Sequence, residues 1–398
     1  MFKSNKVKQF LFIGLSLFLF LFSLRLLVSS LDLFADYFQA NFLGYLHNPF
    51  IGLFIGLLVT AVIQSSSTTS TMVLAFMAAG ALEIQDAVPI IMGANIGTTL
   101  TSTIVALGFI SDSKEFRKAI SAGIIHDLFN ISMVLVLFPL EYYYGLLSKV
   151  SLNFQDQIIG FKGMTDTSSL NFGIDLGLVD FVSNLIPGDF FKIVFALLSL
   201  YISIKLLTRV IQQTIIGGSK NILRRYIFEK PFKSFGWGLF FTAAIQSSSV
   251  STSLIVPLVA TSKVRLKNAF PFILGANLGT TITALLAGIF SSEAALSIAL
   301  FHLIFNLVGV VLFMASGSLR RVFVDFTKNL SATITRKRFI GLAYVLVTFF
   351  LLPFILISMH KNERVIAGMN QKVLPVEQKL HLEKNLYINV KETLHKVI

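Results

Sequence analysis

The chain has 398 residues, of which 55% are hydrophobic and 13% charged, and its mean hydropathy is +0.78. A water-soluble domain cannot bury so much apolar surface, so the composition excludes a soluble globular protein and indicates a lipid bilayer as the main solvent. The absence of cysteine excludes disulfides, thiol catalysis and Cys-ligated metals, and the net charge of +13 is typical of cytoplasmic loops rather than of nucleic-acid binding.

Apolar runs of about 20 residues recur along the chain, without the alternating pattern of barrel strands. They predict an all-α polytopic membrane protein, since only helices and closed barrels satisfy the backbone in lipid. In chain order we expect helices over 10–30, 88–110, 117–140, 190–208, 269–290, 296–316 and 339–359, and two apolar segments with polar centres over 50–82 and 235–262.

Those two polar centres belong to an internal repeat. Residues 61–104 align without a gap to residues 243–286, which lie 182 positions later. The shared positions are mostly polar or small: Gln-Ser-Ser-Ser at 64–67 and 246–249, and Gly-Ala-Asn-x-Gly-Thr-Thr at 93–99 and 275–281. Such residues are not interchangeable lipid-facing ones, so the repeat predicts a duplicated site.

Loop charges predict that the two copies face opposite ways. Glu83 and Asp86 follow the first Gln-Ser-Ser-Ser segment, whereas Lys263, Arg265 and Lys267 follow the second. The loops after the two Gly-Ala-Asn-x-Gly-Thr-Thr sequences also carry opposite charges, but there the first loop is basic and the second is acidic. Because Lys and Arg gather on the cytoplasmic side, this pattern indicates two inverted-topology repeats.

The segment before each polar centre is too short to cross a bilayer. A helix over 51–63 would span about 20 Å, against a hydrocarbon core of about 30 Å. The flanks of each segment also carry one sign of charge, so we expect two re-entrant helical hairpins, over 50–82 and 235–262, with Gln-Ser-Ser-Ser at each tip. The predicted organisation is a first inverted repeat (1–149), an extracytoplasmic loop (150–189), a second inverted repeat (190–338), one additional C-terminal transmembrane helix (339–359) and a polar tail (360–398).

The hairpin tips have the chemistry of an ion site. Each precedes a second half-helix, whose unpaired N–H groups and dipole attract an anion, while hydroxyl and amide oxygens also suit a hard cation such as sodium. Arginine is largely missing from the membrane-depth segments, which favours phosphate over a dicarboxylate as the anion.

These motifs resemble the type II sodium–phosphate cotransporter family. The resemblance covers roughly residues 45–355 and is carried by the two tips, the Gly-Ala-Asn-x-Gly-Thr-Thr sequences, Ser102–Leu107, His126–Asn130 and Leu137–Glu141. It implies sodium-driven symport of inorganic phosphate by alternating access, with no cofactor beyond the co-transported Na+. The implied phosphate-binding residues are Gln64, Ser65, Ser66, Ser67, Gln246, Ser247, Ser248 and Ser249.

The resemblance also implies sodium ligands in both halves: Gln246, Ser247, Thr280 and Thr283 in the second repeat, and Thr103, Asp112, Asp127 and Asn130 in the first. Electrogenic members of the family carry an Asp in the His-Asp-x-Phe-Asn motif, and Asp127 matches it. The segment after Glu141 lacks cysteines and N-x-S/T sequons, unlike the disulfide-bonded, glycosylated loop of animal members. We therefore expect a bacterial homologue in the cytoplasmic membrane.

Several interpretations remain open in the sequence. Asn95 and Asn277 are expected either to cap helices or to coordinate ions, and they are grouped as supporting residues with Thr98, Thr99 and Thr281. No nucleophilic triad or H-E-x-x-H motif is evident, so no enzyme activity is expected. The rival functions are a sodium-coupled carrier of another oxyanion, such as a dicarboxylate, and an anion channel.

Overall fold

The computed structural model describes residues 48–162, 176–215, 227–336, 338–351 and 353–355, and isolated positions between 12 and 30. Residues 1–353 form one compact unit; of the second unit, 354–398, only Phe354 and Ile355 are described. All regular secondary structure in the described residues is helical, which confirms the all-α class. The tail 360–398 and most of the predicted helix 10–30 lie outside the described residues.

The first half of the chain forms a series of helices joined by short connections. They are α1 (Pro49–Ile63), α2 (Ser66–Ala78), α3 (Ile84–Gly97), α4 (Leu100–Leu107), α5 (Ser113–Tyr144), α6 (Leu146–Lys162) and α7 (Leu176–Leu185). Asn48 begins α1, since its Oδ1 accepts from the backbone N–H of Phe50 at 2.9 Å, and a proline follows at the first helical position.

The second half of the chain is also a series of helices. They are α8 (Asp189–Ile215), α9 (Pro231–Ile245), α10 (Ser248–Ser253), α11 (Ile255–Ala260), α12 (Leu266–Ile289), α13 (Glu293–Ala315), α14 (Gly317–Arg336) and α15 (Arg338–Leu346), followed by a π-helical turn over Val347–Leu351. Leu254, between α10 and α11, keeps helical dihedral angles, so the two helices form nearly continuous helix.

Two regions are more helical than the sequence predicts. Helices α6 and α7 lie within the segment interpreted as an external loop, and α14 occupies the basic stretch that follows α13. The hydropathy pattern did not predict α14 because it carries charged as well as apolar side chains, which lowers the mean hydropathy of the segment.

Four described helical segments are long and apolar enough to cross a bilayer: Ile84–Leu107, Ser113–Tyr144, Leu266–Ile289 and Glu293–Ala315. They correspond to the predicted helices 88–110, 117–140, 269–290 and 296–316. The predicted span 190–208 is helical as part of α8, but it is not among these four.

Glycines bring the helices of each half into backbone contact. A Cβ added at Gly93 would lie 1.8 Å from the carbonyl oxygen of Leu53, and one added at Gly56 would lie 2.0 Å from that of Ile90. The same contacts recur 182 positions later, where Cβ atoms at Gly275 and Gly238 would lie 2.1 and 2.0 Å from the carbonyl oxygens of Phe235 and Phe272. The sequence repeat is therefore also a repeat of helix packing, between α1 and α3 and between α9 and α12.

Candidate functional site

Each Gln-Ser-Ser-Ser segment is a helix break with the same geometry. Gln64 and Gln246 end the preceding helices in the left-handed region, both with φ 55°. Ser65 and Ser247 are then extended and begin the next helices, where their Oγ atoms accept from the backbone N–H groups of Thr68 and Val250 at 3.3 and 3.4 Å. A left-handed residue followed by a serine N-cap interrupts the helix over two residues and leaves the first N–H groups of the second helix facing the break.

The two breaks meet through reciprocal hydrogen bonds. Ser67 Oγ donates to the carbonyl oxygen of Gln246 at 3.2 Å, and the equivalent Ser249 Oγ donates to that of Gln64 at 3.4 Å. Ser67 also lies 3.2 Å from Thr280, between the two hydroxyl oxygens. Each serine thus contacts the glutamine of the other repeat. Such an exchange of equivalent contacts indicates a local two-fold arrangement of the two copies.

Thr98 extends this hydroxyl cluster on the side of the first repeat. Its Oγ1 accepts from Ser66 Oγ at 3.1 Å and lies 3.4 and 3.3 Å from the Oγ atoms of Ser248 and Ser249. All four side chains are buried. Thr98 and its counterpart Thr280 therefore line the centre directly.

The two glutamines differ in exposure. Gln64 is exposed, whereas Gln246 is only 7% exposed and its Oε1 has no hydrogen-bond partner among the described residues. The hydroxyl of Thr283 is likewise buried without a partner in that part of the chain, while Ser247 is half-buried. Unpaired buried oxygens are costly, so these two positions have the chemistry of cation ligands.

Asp127 lies on α5 in a second buried polar cluster. Its Oδ2 accepts from the hydroxyls of Thr103 at 2.8 Å and Tyr344 at 3.1 Å, and its Oδ1 has no hydrogen-bond partner within the described residues. Tyr344 was not predicted from the sequence, because α15 has no counterpart in the first repeat that would have marked it.

The environment of Asp112 differs from that of the cluster around Asp127. Its carboxylate is exposed at the N-terminus of α5, where Oδ1 accepts from the N–H groups of Lys114 and Glu115 at 2.8 and 3.0 Å. The N–H of Glu115, followed by that of Lys114, holds the pKa of Asp112 below its usual value. The geometry thus gives Asp112 a capping contact, and its assignment as a sodium ligand stays a prediction.

The two supporting asparagines connect the repeats instead of capping helices. Asn277 Nδ2 donates to Asn130 Oδ1 at 2.7 Å, and Asn306 Nδ2 donates to Asn95 Oδ1 at 3.1 Å. The capping alternative is wrong for both, because Asn95 and Asn277 lie within α3 and α12, well after the first turn.

The remaining threonines, Thr99 and Thr281, have local contacts, whereas the two histidines differ. Thr99, between α3 and α4, and Thr281, within α12, donate to the carbonyl oxygens three residues earlier in the chain, both at 2.7 Å. His126 Nε2 lies 2.7 Å from Asn277 Oδ1, whereas neither ring nitrogen of the buried His302 has a partner among the described residues. The two copies of the repeat therefore have similar hydroxyl contacts, whereas their histidines differ in hydrogen-bond partners.

Membrane-capable helices around two facing, hydroxyl-rich helix breaks define a multi-pass membrane protein with a buried polar centre. The chain belongs to the Na+/Pi-cotransporter family, which it matches over residues 19–165 and 200–327. Both helix breaks, Asp127 and Thr103 fall within the matched residues, whereas Tyr344 lies beyond them.

Curated relatives carry names that agree with this family. The chain is 30% identical to sodium-dependent phosphate transport protein 2A of Rattus norvegicus over 85% of its own length and 65% of that protein. It is 27% identical to protein 2B of Homo sapiens over 90% of this chain and 66% of the human protein. The chain thus spans slightly less than two thirds of the length of these relatives, and no solved structure matches it.

Proposed function

We propose that the protein is a sodium-coupled symporter of inorganic phosphate in the cytoplasmic membrane. The observation that carries this proposal is the meeting of the two Gln-Ser-Ser-Ser segments through the reciprocal bonds of Ser67 and Ser249. Two converging helix N-termini and their hydroxyls supply donors to a tetrahedral oxyanion without a fixed positive side chain. The phosphate is assigned to Gln64–Ser67 and Gln246–Ser249.

Sodium ions would offset the charge of the phosphate. An uncompensated anion in a low-dielectric medium is costly, and neutral oxygens next to the anion can hold Na+ at the same centre. The unpaired oxygens of Gln246 and Thr283 support one such site. The unpaired Oδ1 of Asp127 supports a second, which would make transport electrogenic if this carboxylate stays charged.

Alternating access needs two halves that can exchange roles. The repeated glycine packing and the reciprocal serine bonds support a local two-fold relation between the repeats. The opposite loop charges at Glu83 and Arg265 support an axis in the membrane plane, which gives inverted repeats with one re-entrant hairpin entering from each face.

Flux of radiolabelled phosphate into proteoliposomes tests the proposal. With purified protein, we expect phosphate to accumulate above equilibrium under an inward sodium gradient and to stop accumulating when choline replaces sodium. Arsenate, a tetrahedral analogue, should compete with phosphate, and succinate should not.

The rival functions give different results in the same assay. Competition by succinate but not by arsenate would indicate a dicarboxylate carrier, and downhill flux without sodium would indicate an anion channel. Either result would overturn the proposal. Replacing Ser66 or Ser248 with phenylalanine should abolish uptake while the protein remains in the membrane, because both side chains are buried at the centre.

A further inference from the structure

A basic cavity lies away from the polar centre, between the two repeats. Its volume is about 550 Å³, and it is lined by the start of α5, the connection from α11 to α12 and one residue of α14. Six cationic side chains line it, and no carboxylate does: Lys114, Arg117, Lys118, Arg265, Lys267 and Lys328. We call this the basic cavity.

Most of these charges lack a partner. Lys328 pairs with Asp325 at 2.8 Å, and Lys118 Nζ donates to Ser262 Oγ at 2.6 Å. Within the described residues, Lys114, Arg117, Arg265 and Lys267 form no ion pair. Asp112 and Glu115 lie nearby on the same helix start, but neither lines the cavity.

The cationic side chains also sit at the unfavourable ends of two long helices. Lys114, Arg117 and Lys118 lie in the first two turns of α5, and Arg265 and Lys267 lie at the start of α12, which has no side-chain cap. A helix N-terminus is positive and favours anions, so the uncapped start of α12 adds to the positive potential of the side chains, whereas the Asp112 carboxylate already caps α5. A bound anion would relieve the repulsion from both sources at once.

Ser262 provides a second observation at the same cavity. It has φ 59°, in the left-handed region that favours glycine, and the equivalent residue of the first repeat is Gly80 with φ 68°. A serine at this position is strained, yet its hydroxyl lies at the cavity and accepts from Lys118. The second repeat therefore carries a hydroxyl where backbone geometry alone calls for glycine.

The cavity does not belong to the duplicated centre. The first repeat has Glu83 where the second has Arg265, so a matching cationic site is missing there. The tendency of cytoplasmic loops to be basic explains the sign of these charges. It does not explain why six of them converge on one cavity or why a strained serine joins them.

We propose that the basic cavity binds a polyanion that carries more than one phosphate group or a phosphate with a further negative charge nearby. The cavity volume suits a ligand of the size of a lipid headgroup or a short polyphosphate. Such a ligand bridges α5 of the first repeat and the α11–α12 connection of the second, so its binding restrains movement between the repeats. This inference does not depend on what the protein transports.

Binding of inorganic tripolyphosphate to the purified full-length protein tests the proposal. Titration calorimetry in neutral detergent without sodium should show saturable binding to the wild type. The double variant Arg117→Gln/Arg265→Gln should bind about tenfold more weakly or worse, because it removes two charge-assisted contacts. The matched control, Lys230→Gln/Arg321→Gln, loses the same charge from exposed residues outside the cavity and should bind as the wild type does.

Reconstitution in nanodiscs distinguishes the two sources of phosphate. If a lipid headgroup is the ligand, discs with about one fifth phosphatidylglycerol should weaken tripolyphosphate binding by the wild type, relative to phosphatidylcholine discs. If the ligand is soluble, the affinity should be the same in both. Equal loss of affinity in the two double variants, or failure of the wild type to bind tripolyphosphate in detergent and in neutral discs, would overturn the proposal.

Ser262→Gly separates binding from folding at this cavity. Glycine relieves the strained backbone, so the ligand-free variant should unfold at the same temperature as the wild type or higher, while its affinity for tripolyphosphate should fall. Undiminished affinity would overturn the role of the hydroxyl. The Ser66→Phe variant should bind tripolyphosphate normally even where it has lost phosphate uptake, so failure of the cavity and failure of the transport site give different results.

Discussion

Thr283 and Thr327 illustrate how one residue type serves two purposes in this protein. Both are buried, but Thr327 Oγ1 donates to the carbonyl oxygen of Phe323 at 2.8 Å, whereas the hydroxyl of Thr283 has no partner among the described residues. A helix-interior threonine readily bonds to its own helix, as Thr327 does. The unpaired hydroxyl of Thr283, on α12, is consistent with the sodium site proposed there.

We expect Thr283→Val to weaken sodium activation of phosphate uptake without destabilising the protein. Valine has a similar shape and removes a buried unpaired oxygen, so the free energy of unfolding should stay constant or rise by about 1 kcal/mol. Uptake measured against sodium concentration and thermal unfolding in detergent check both parts. Thr327→Val is the control, and it should leave sodium activation unchanged; wild-type sodium activation in Thr283→Val would remove this residue from the site.

Asp127→Gly tests the charge assigned to the second cluster. Since Asp127 is fully buried and its Oδ1 is unpaired within the described residues, its charge is available to a bound cation. The variant should move less net charge for each phosphate while still transporting phosphate. The measurement is the ratio of current to radiolabelled flux in proteoliposomes under a set membrane potential. Asp325→Asn, an exposed acid on α14, is the control, and an unaltered ratio in Asp127→Gly would refute the role.

At the scale of helices, close packing depends on glycine at specific positions of one face. Gly93, on α3, lies against the backbone of α1. Gly236 lies on α9, the helix of the second repeat that corresponds to α1, and no atom lies within 4 Å of a Cβ added there. Glycine is thus required at one position and merely tolerated at the other. The difference comes from the neighbouring backbone, since both residues lie within helices.

Gly93→Ala should strongly destabilise the protein, because the added methyl group would meet the Leu53 carbonyl at 1.8 Å and force α1 and α3 apart. Overpacking of this kind costs about 1–3 kcal/mol and sometimes more. Gly236→Ala should instead be neutral or stabilise the helix by about 0.5–1 kcal/mol. Thermal unfolding of the two variants in the same detergent measures the contrast, and equal melting temperatures would contradict the helix contact.

The sequence predicted those parts of the structure that depend on local chemistry. The Gln-Ser-Ser-Ser segments predicted where each second half-helix begins, and the repeat of small and polar residues predicted which helices would be equivalent. It did not predict the contacts of Asn277 with Asn130 or of Tyr344 with Asp127, because these residues are distant in sequence and meet only after the helices pack. Helix α14 was missed for another reason: its charges lower the mean hydropathy although its spacing is helical.

At the scale of the whole molecule, the reciprocal contacts concern the symmetry between the repeats, whereas the loop charges concern the direction of the symmetry axis. The paired bonds of Ser67 and Ser249 indicate a local two-fold relation, but they are the same whether the axis lies in the membrane plane or along its normal. Only the charges of the flanking residues distinguish these cases. The support for the proposed inverted arrangement therefore comes from side-chain charge and not from the packing of the centre.

Cysteine labelling can test the inversion directly, since the chain contains no cysteine that would have to be removed first. We expect Glu83→Cys to react with a membrane-impermeant thiol reagent in intact cells, and Arg265→Cys to react only after the membrane is opened. Lys230→Cys should behave as Arg265→Cys does, because a re-entrant segment begins and ends on one face. Reaction of Glu83→Cys and Arg265→Cys from one side would exclude inverted repeats. Reaction of Lys230→Cys and Arg265→Cys from opposite sides would instead mean that the short helices α9 to α11 cross the bilayer together.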